Sequence, residues 1–345
     1  MRCVITAFVI VAFFIAPSYA ALPSGIEFSS LDSISRWIAN YRTKPNPARV
    51  PAAVRAMSQF GVFKDPESSG VYFGFIAGVL GANPDRAEEL VGKMLPLPAA
   101  DEWVVVRAIA YSNHPEWQRW LRKFAERLPS RKVMIDKFLA GKLPTLDEIP
   151  LEKKSPTLWD RARSYFVTDA HANAGSETTF DRSPELLDTL WGYYFATGSA
   201  QPIERMIAFL PWTRERDSVD KLTIGSMTKY TLASNAARDA ELLAILKRAS
   251  KSAAKPTASV LNEVIEAAET METTRLRKDA LAAIEELKRK GPGYKRDIST
   301  WGQIGQGALA LGCIVAATTG HVELGLPCII GGAASSAALN YWNTQ

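Results

Sequence analysis

Residues 115–128 read Pro115-Glu116-Trp117-Gln118-Arg119-Trp120-Leu121-Arg122-Lys123-Phe124-Ala125-Glu126-Arg127-Leu128, and the spacing of the apolar members decides the fold class. Trp117, Trp120, Leu121, Phe124 and Leu128 recur at i, i+3, i+4, i+7 and i+11. That is one face of a helix with 3.6 residues per turn and no face of a strand.

The same period returns along the chain. Ser183 and Pro184 give a cap and a first helical position ahead of Leu187, Leu190, Trp191, Tyr194 and Phe195. Val260, Leu261, Val264, Ile265 and Ala268 form another stripe, and Leu276, Ala280, Ile284 and Leu287 a fourth, closed by Gly291 and Pro292. Only Trp103 to Ile109 could pass for a strand, through Val104-Val105-Val106. Its flanking acids and the internal Arg107 favour a helix. The expected fold class is all-α: stacked helical hairpins, α-solenoid-like or an irregular array, with a Gly/Ala-rich helical hairpin at the C-terminus.

Two regions resemble one another. Phe75-Ile76-Ala77-Gly78 precedes Pro84 and a stop at Pro96, and Tyr194-Phe195-Ala196-Thr197-Gly198 precedes Pro202 and a stop at Pro211. Each reads as helix, Gly-containing turn, Pro-started helix, with Ser112-Asn113 and Ser234-Asn235 downstream. Chance likeness of two such units is the competing reading. Polar, Pro-rich and Ser/Thr-rich stretches between them mark a linker. The expected organisation is a leader over 1–20, helical regions over 21–142 and 183–292 separated by a linker over 143–182, and an apolar hairpin over 302–342.

That last segment carries Ala308, Gly312, Ala316 and Gly320 four apart, then Gly332 and Ser336. Small residues at this interval make a groove on one helical face. Cys313 and Cys328 flank its turn. After leader removal takes Cys3, they are the remaining thiols and are expected to form a disulfide.

The leader itself has Arg2, an apolar run from Val4 to Ile15, and Ser18-Tyr19-Ala20, which places cleavage between Ala20 and Ala21. Export to the periplasm or secretion follows, and the lack of any Asn-x-Ser/Thr acceptor favours the bacterial case. An apolar fraction of 47% with 22% charged residues excludes a disordered chain, and a net charge of +5 is too diffuse for nucleic-acid binding.

Chemistry is sparse. The three histidines, His114, His171 and His321, stand apart without a metal-ligand spacing, so neither metal nor cofactor is expected. Asp169 and His171, with Ser176 and Glu177 in the same polar loop, are the one place for a general acid–base group, although loops of this composition are usually inert. Lys288, Arg289, Lys290, Lys295 and Arg296 could meet an anionic surface. The favoured reading is that Lys288 to Lys290 close a helix, where cations suit the dipole. Of the aromatic cluster, Trp191, Tyr194 and Phe195 share a core face, and Tyr193 is expected at the surface.

The leading expectation is a non-enzymatic exported scaffold that binds another envelope protein. The alternatives are an envelope protein that contacts the membrane through the C-terminal hairpin, and a hydrolase using residues 169–177.

Overall fold

The computed structural model describes residues 28–151 and 184–270, together with positions 279, 282, 286 and 289. The described chain is all-α and holds no strand. The leader, Asp169, His171, Glu177, Cys313, Cys328 and the 302–342 segment lie outside the described residues. So do Lys288, Lys290, Lys295 and Arg296, whereas Arg289 is helical and exposed.

The first part comprises α1 (Leu31–Ala39), α2 (Val50–Gln59), α3 (Gly70–Ala82), α4 (Pro84–Met94), α5 (Trp103–Ala110), α6 (Trp117–Phe124) and α7 (Lys132–Leu139). The second comprises α8 (Pro184–Thr197), α9 (Ala200–Ile207), α10 (Val219–Ala236), α11 (Ala240–Ser252) and α12 (Lys255–Thr270). Local chemistry sets many of the ends. Ser30 and Ser33 form a reciprocal capping pair at α1. Pro84 starts α4 and Pro184 starts α8. The side chain of Asp239 accepts the Glu241 and Leu242 amides at the start of α11.

At the centre lie α3 and α8. The sequence of α3, Gly-Val-Tyr-Phe-Gly-Phe-Ile-Ala-Gly-Val-Leu-Gly-Ala, is apolar on every side, and residues 70–80 are buried without a break. Residues 185–196 of α8 are buried as completely. The two helices run parallel: Gly70 lies against Glu185 and Asp188, Gly74 against Thr189, and Gly78 against Tyr193 and Ala196. Helices α4 and α5 flank α3, α2 lies against α4, and α9 flanks α8. Helices α10, α11 and α12 pack on one another beyond them.

The interface is backbone against backbone. A Cβ built on Gly74 would stand 2.2 Å from the Thr189 carbonyl oxygen, and one on Gly192 only 2.1 Å from that of Val71. Gly70, Gly74 and Gly78 recur every fourth residue on the face turned to α8. Gly78 therefore sits inside a helix and not in the turn expected of it; the chain turns at Asn83 instead. Its resemblance to Gly198 is one of letters, for Gly198 follows α8 with φ +67°.

Of the expected apolar stripes, Leu276, Ala280, Ile284 and Leu287 with Gly291 and Pro292 lie outside the described residues, and the others are largely buried. Trp120, Leu121, Phe124 and Leu128 enter the core, as do Val260, Leu261, Val264, Ile265 and Ala268. Residues 103–110 form α5, a helix. No described helix is long and apolar enough to cross a membrane.

Close approach makes a graded prediction. Gly74→Ala and Gly192→Ala force backbone to move and should each cost about 3 kcal/mol or more in urea unfolding. Gly92→Ala in α4 meets only the tip of Arg127 at 3.6 Å. It should instead add about 0.5–1 kcal/mol, the helix-propensity gain.

Candidate functional site

Three polar assemblies join the described helices. The first sits at the N-terminal end of the central pair. Arg107, the one charge in the apolar run of α5, donates from Nη1 to Glu185 Oε1 at 2.7 Å. Glu185 is 1% exposed and the Arg107 side chain 12%. Glu185 occupies the first turn of α8, where the helix dipole favours an anion. The guanidinium lies 5.1 Å from the ring centroids of both Phe73 and Trp103, so its faces meet aromatic surface while its edge meets the carboxylate. Asp188 is buried one turn on, against Gly70. Burial, reinforced by the charges of Asp32 and Asp188, holds the Tyr72 phenol above its ordinary pKa.

The second assembly ties three distant segments. Arg42 pairs with Asp239, and its Nη1 reaches Glu241 Oε2 at 2.8 Å. The Tyr194 hydroxyl donates to Asp239 Oδ2 at 2.8 Å, and the guanidinium carbon of Arg42 lies 4.5 Å from the Tyr194 ring centroid. Asp239 also caps α11 with its other oxygen. One carboxylate thus joins the residues after α1, the buried helix α8 and the start of α11.

The third lies where the chain passes from α4 to α5. Ser58 donates to Asp101 Oδ2 at 2.5 Å, and Ser130 donates to Glu102. Both acids are buried at the head of α5. Arg55, Arg127 and Arg131 donate to the carbonyl oxygens of Lys93, Gly92 and Ala99, at 2.7, 3.2 and 2.7 Å.

His114 is a helix-start residue, as its position before Pro115 implies: its Nδ1 accepts the Glu116 amide at 3.0 Å. Its ring also stacks on Trp120, with centroids 4.0 Å apart. Tyr193 departs from expectation. It is 8% exposed, not a surface residue, and its hydroxyl donates to the Ser112 carbonyl at 3.2 Å. Its ring projects past the small residue Gly81 toward the end of α5, so the helical wheel of α8 alone could not place it. Trp191, Tyr194 and Phe195 are core residues.

None of the three assemblies was read from the sequence. A lone arginine inside the apolar run 103–110 was the available signal for the first. The others join residues from about 30 to nearly 200 positions apart, beyond any local pattern. Chemically, Glu185, Asp239, Asp101 and Glu102 each accept from a donor on another element, which suits them to hold helices together. Among the described residues no group of His, Cys, Asp and Glu gathers as a metal site. No protein-family model matches the chain, no curated protein is significantly similar to it, and no solved structure matches its fold.

Removing one partner of a buried ion pair strands the other. Arg107→Met or Glu185→Gln should each lower unfolding free energy by about 3–5 kcal/mol. The double variant Arg107→Met/Glu185→Leu should recover part of that loss in a double-mutant cycle followed by circular dichroism. The tyrosines add a pH dependence. Burial pushes the phenols of Tyr111 and Tyr193 from 10.0 up to about 12. Between these values the unfolded chain ionises and the folded chain does not, so stability falls as pH rises from 10 to 12. Alkaline absorbance titration should show late-ionising phenols whose ionisation coincides with loss of helical signal.

Proposed function

We propose that the protein is an exported, non-enzymatic α-helical scaffold that binds another macromolecule of the cell envelope. The observation that carries this reading is how the buried and half-buried charges are used. Arg107 with Glu185 and Arg42 with Asp239 fasten helices across the core and around it. A body fixed by inter-helix locks and a close-packed central pair keeps its outer surface in one shape, which lowers the ordering cost of binding a partner.

Export is supported by the leader ending at Ala20 and Ala21, and an oxidising compartment would let Cys313 and Cys328 close as a staple. The Gly/Ala-patterned segment 302–342 supports the membrane-contact variant of this reading, in which the same scaffold sits against the bilayer.

Cross-linking in intact cells, followed by osmotic-shock release, tests the proposal. The expected result is a mature chain starting at Ala21, released with a recurrent discrete adduct, its two thiols resistant to alkylation until reduced. Hydrolytic turnover by the purified protein that is abolished by Asp169→Asn, His171→Ala or Glu177→Gln would replace the scaffold with an enzyme.

A further inference from the structure

Helix α10 is buried around more of its circumference than its described neighbours account for. From Leu222 to Thr228 every residue is buried, polar ones included. The described contacts leave from one side. The Thr231 hydroxyl accepts the Trp191 indole N–H at 3.1 Å, Gly225 backs onto the peptide joining Trp212 to Thr213, and Lys229 reaches Glu263 of α12 at 2.5 Å.

A different face carries Leu222, Ser226 and Tyr230, which recur every fourth residue, with Thr223 three before Ser226. Leu222 is 1% exposed and Tyr230 9%, yet both stand outside the continuous core that joins the other buried apolar side chains. Thr223 and Ser226 are buried beside them, and the Thr223 hydroxyl has no hydrogen-bond partner among the described residues. Burial this complete needs a cover.

Composition selects it. The face is uncharged, and a charged cover would desolvate its ions against apolar and hydroxyl groups. Residues 152–183 hold five acids and five bases, and 271–301 are charged more densely still. From Gly302 to Gln345, by contrast, Glu323 is the one charged side chain. Ala308, Gly312, Ala316 and Gly320 repeat at the interval of Leu222, Ser226 and Tyr230, so a groove on one matches a ridge on the other. Across Gly or Ala a hydroxyl such as that of Thr223 can reach helix backbone. The molecule already uses this fit once, where Gly70, Gly74 and Gly78 seat α8. Helix α12 packs directly on α10, and the residues from 271 to 301 are enough chain to lead from its end back to this face.

We infer that residues 302–322 dock on the face of α10 formed by Leu222, Thr223, Ser226 and Tyr230, which stores the apolar tail against the helical body. The inference goes beyond the scaffold reading and opposes its membrane-contact variant.

Photo-cross-linking of the full mature chain, with Tyr230 replaced by p-benzoylphenylalanine, tests it. Mass spectrometry should map the adduct within the same chain to residues 302–322, and phosphatidylglycerol vesicles should leave its yield unchanged. Gly312→Leu fills the groove and should lower the yield at least about five-fold, at unchanged helical circular dichroism. Gly312→Ala should keep most of it. An adduct to another part of the chain, to lipid or to another molecule would overturn the inference, as would no adduct, or a yield that Gly312→Leu leaves intact. The scaffold reading survives any of these results, because the envelope adduct in intact cells decides it separately.

Discussion

At Gly74 and Gly192 the two central helices leave no room for a methyl group, because the carbonyl oxygens of Thr189 and Val71 already occupy the position a Cβ would take. Contact this close lets two helical backbones attract through dispersion and Cα–H···O contacts, with few side chains between them. It also makes the relative position of α3 and α8 nearly incompressible, since neither helix can slide without driving Cα atoms into carbonyls. The Thr189 hydroxyl donates to the Glu185 carbonyl at 2.7 Å, one turn back on its own helix, so its polar atom is satisfied within α8. The other helices then need only cover a pair whose geometry is already determined. Because the pair is parallel and about a hundred residues separate its members in the chain, the centre of the core rests on contacts distant in sequence.

A pair buried on all sides must still present its ends to something polar, and the charged assemblies sit there. Arg107 reaches the first turn of α8 from α5, supplying the counter-charge that Glu185 requires in a medium where an isolated carboxylate is costly. Toward the last turns of α8, the Tyr194 hydroxyl donates a hydrogen bond to Asp239, and Arg42 closes over the ring. The left-handed Gly198 follows at once, and a side chain there would run into Arg42 at 2.9 Å. The backbone angle favours glycine at this position, and a Cβ would in addition push the tip of Arg42 aside.

The helices were legible in the sequence because amphipathic stripes announce them. Trp120, Leu121 and Phe124 reveal α6 by period alone, and Val264 with Ala268 does the same for α12. Helix α8 was announced by Ser183, Pro184 and its stripe, but its partner α3 was not legible, for a physical reason. A helix buried all round has no polar face, so α3 shows no stripe, and its glycines at 70, 74 and 78 look like turn residues when read singly. Their fourfold spacing carried the information. The charged locks were invisible for another reason: Arg42 and Asp239 meet across nearly 200 positions, and nothing local to either marks the partner.

The arginines beside α4 show how one residue can hold the fold and shape the surface together. The carbonyls of Gly92 and Lys93 belong to the last turn of α4, where the helix leaves acceptors without partners and a partial negative charge. Arg127 and Arg55 answer both needs. A guanidinium carries five N–H donors, so one bond to a carbonyl leaves most of its fork unused. Nearby lysines behave differently: Lys123 pairs with Glu88, and Lys132 with Asp136 at 3.1 Å, so each cancels its own charge. Positive potential on this face therefore comes from the groups that structure requires there.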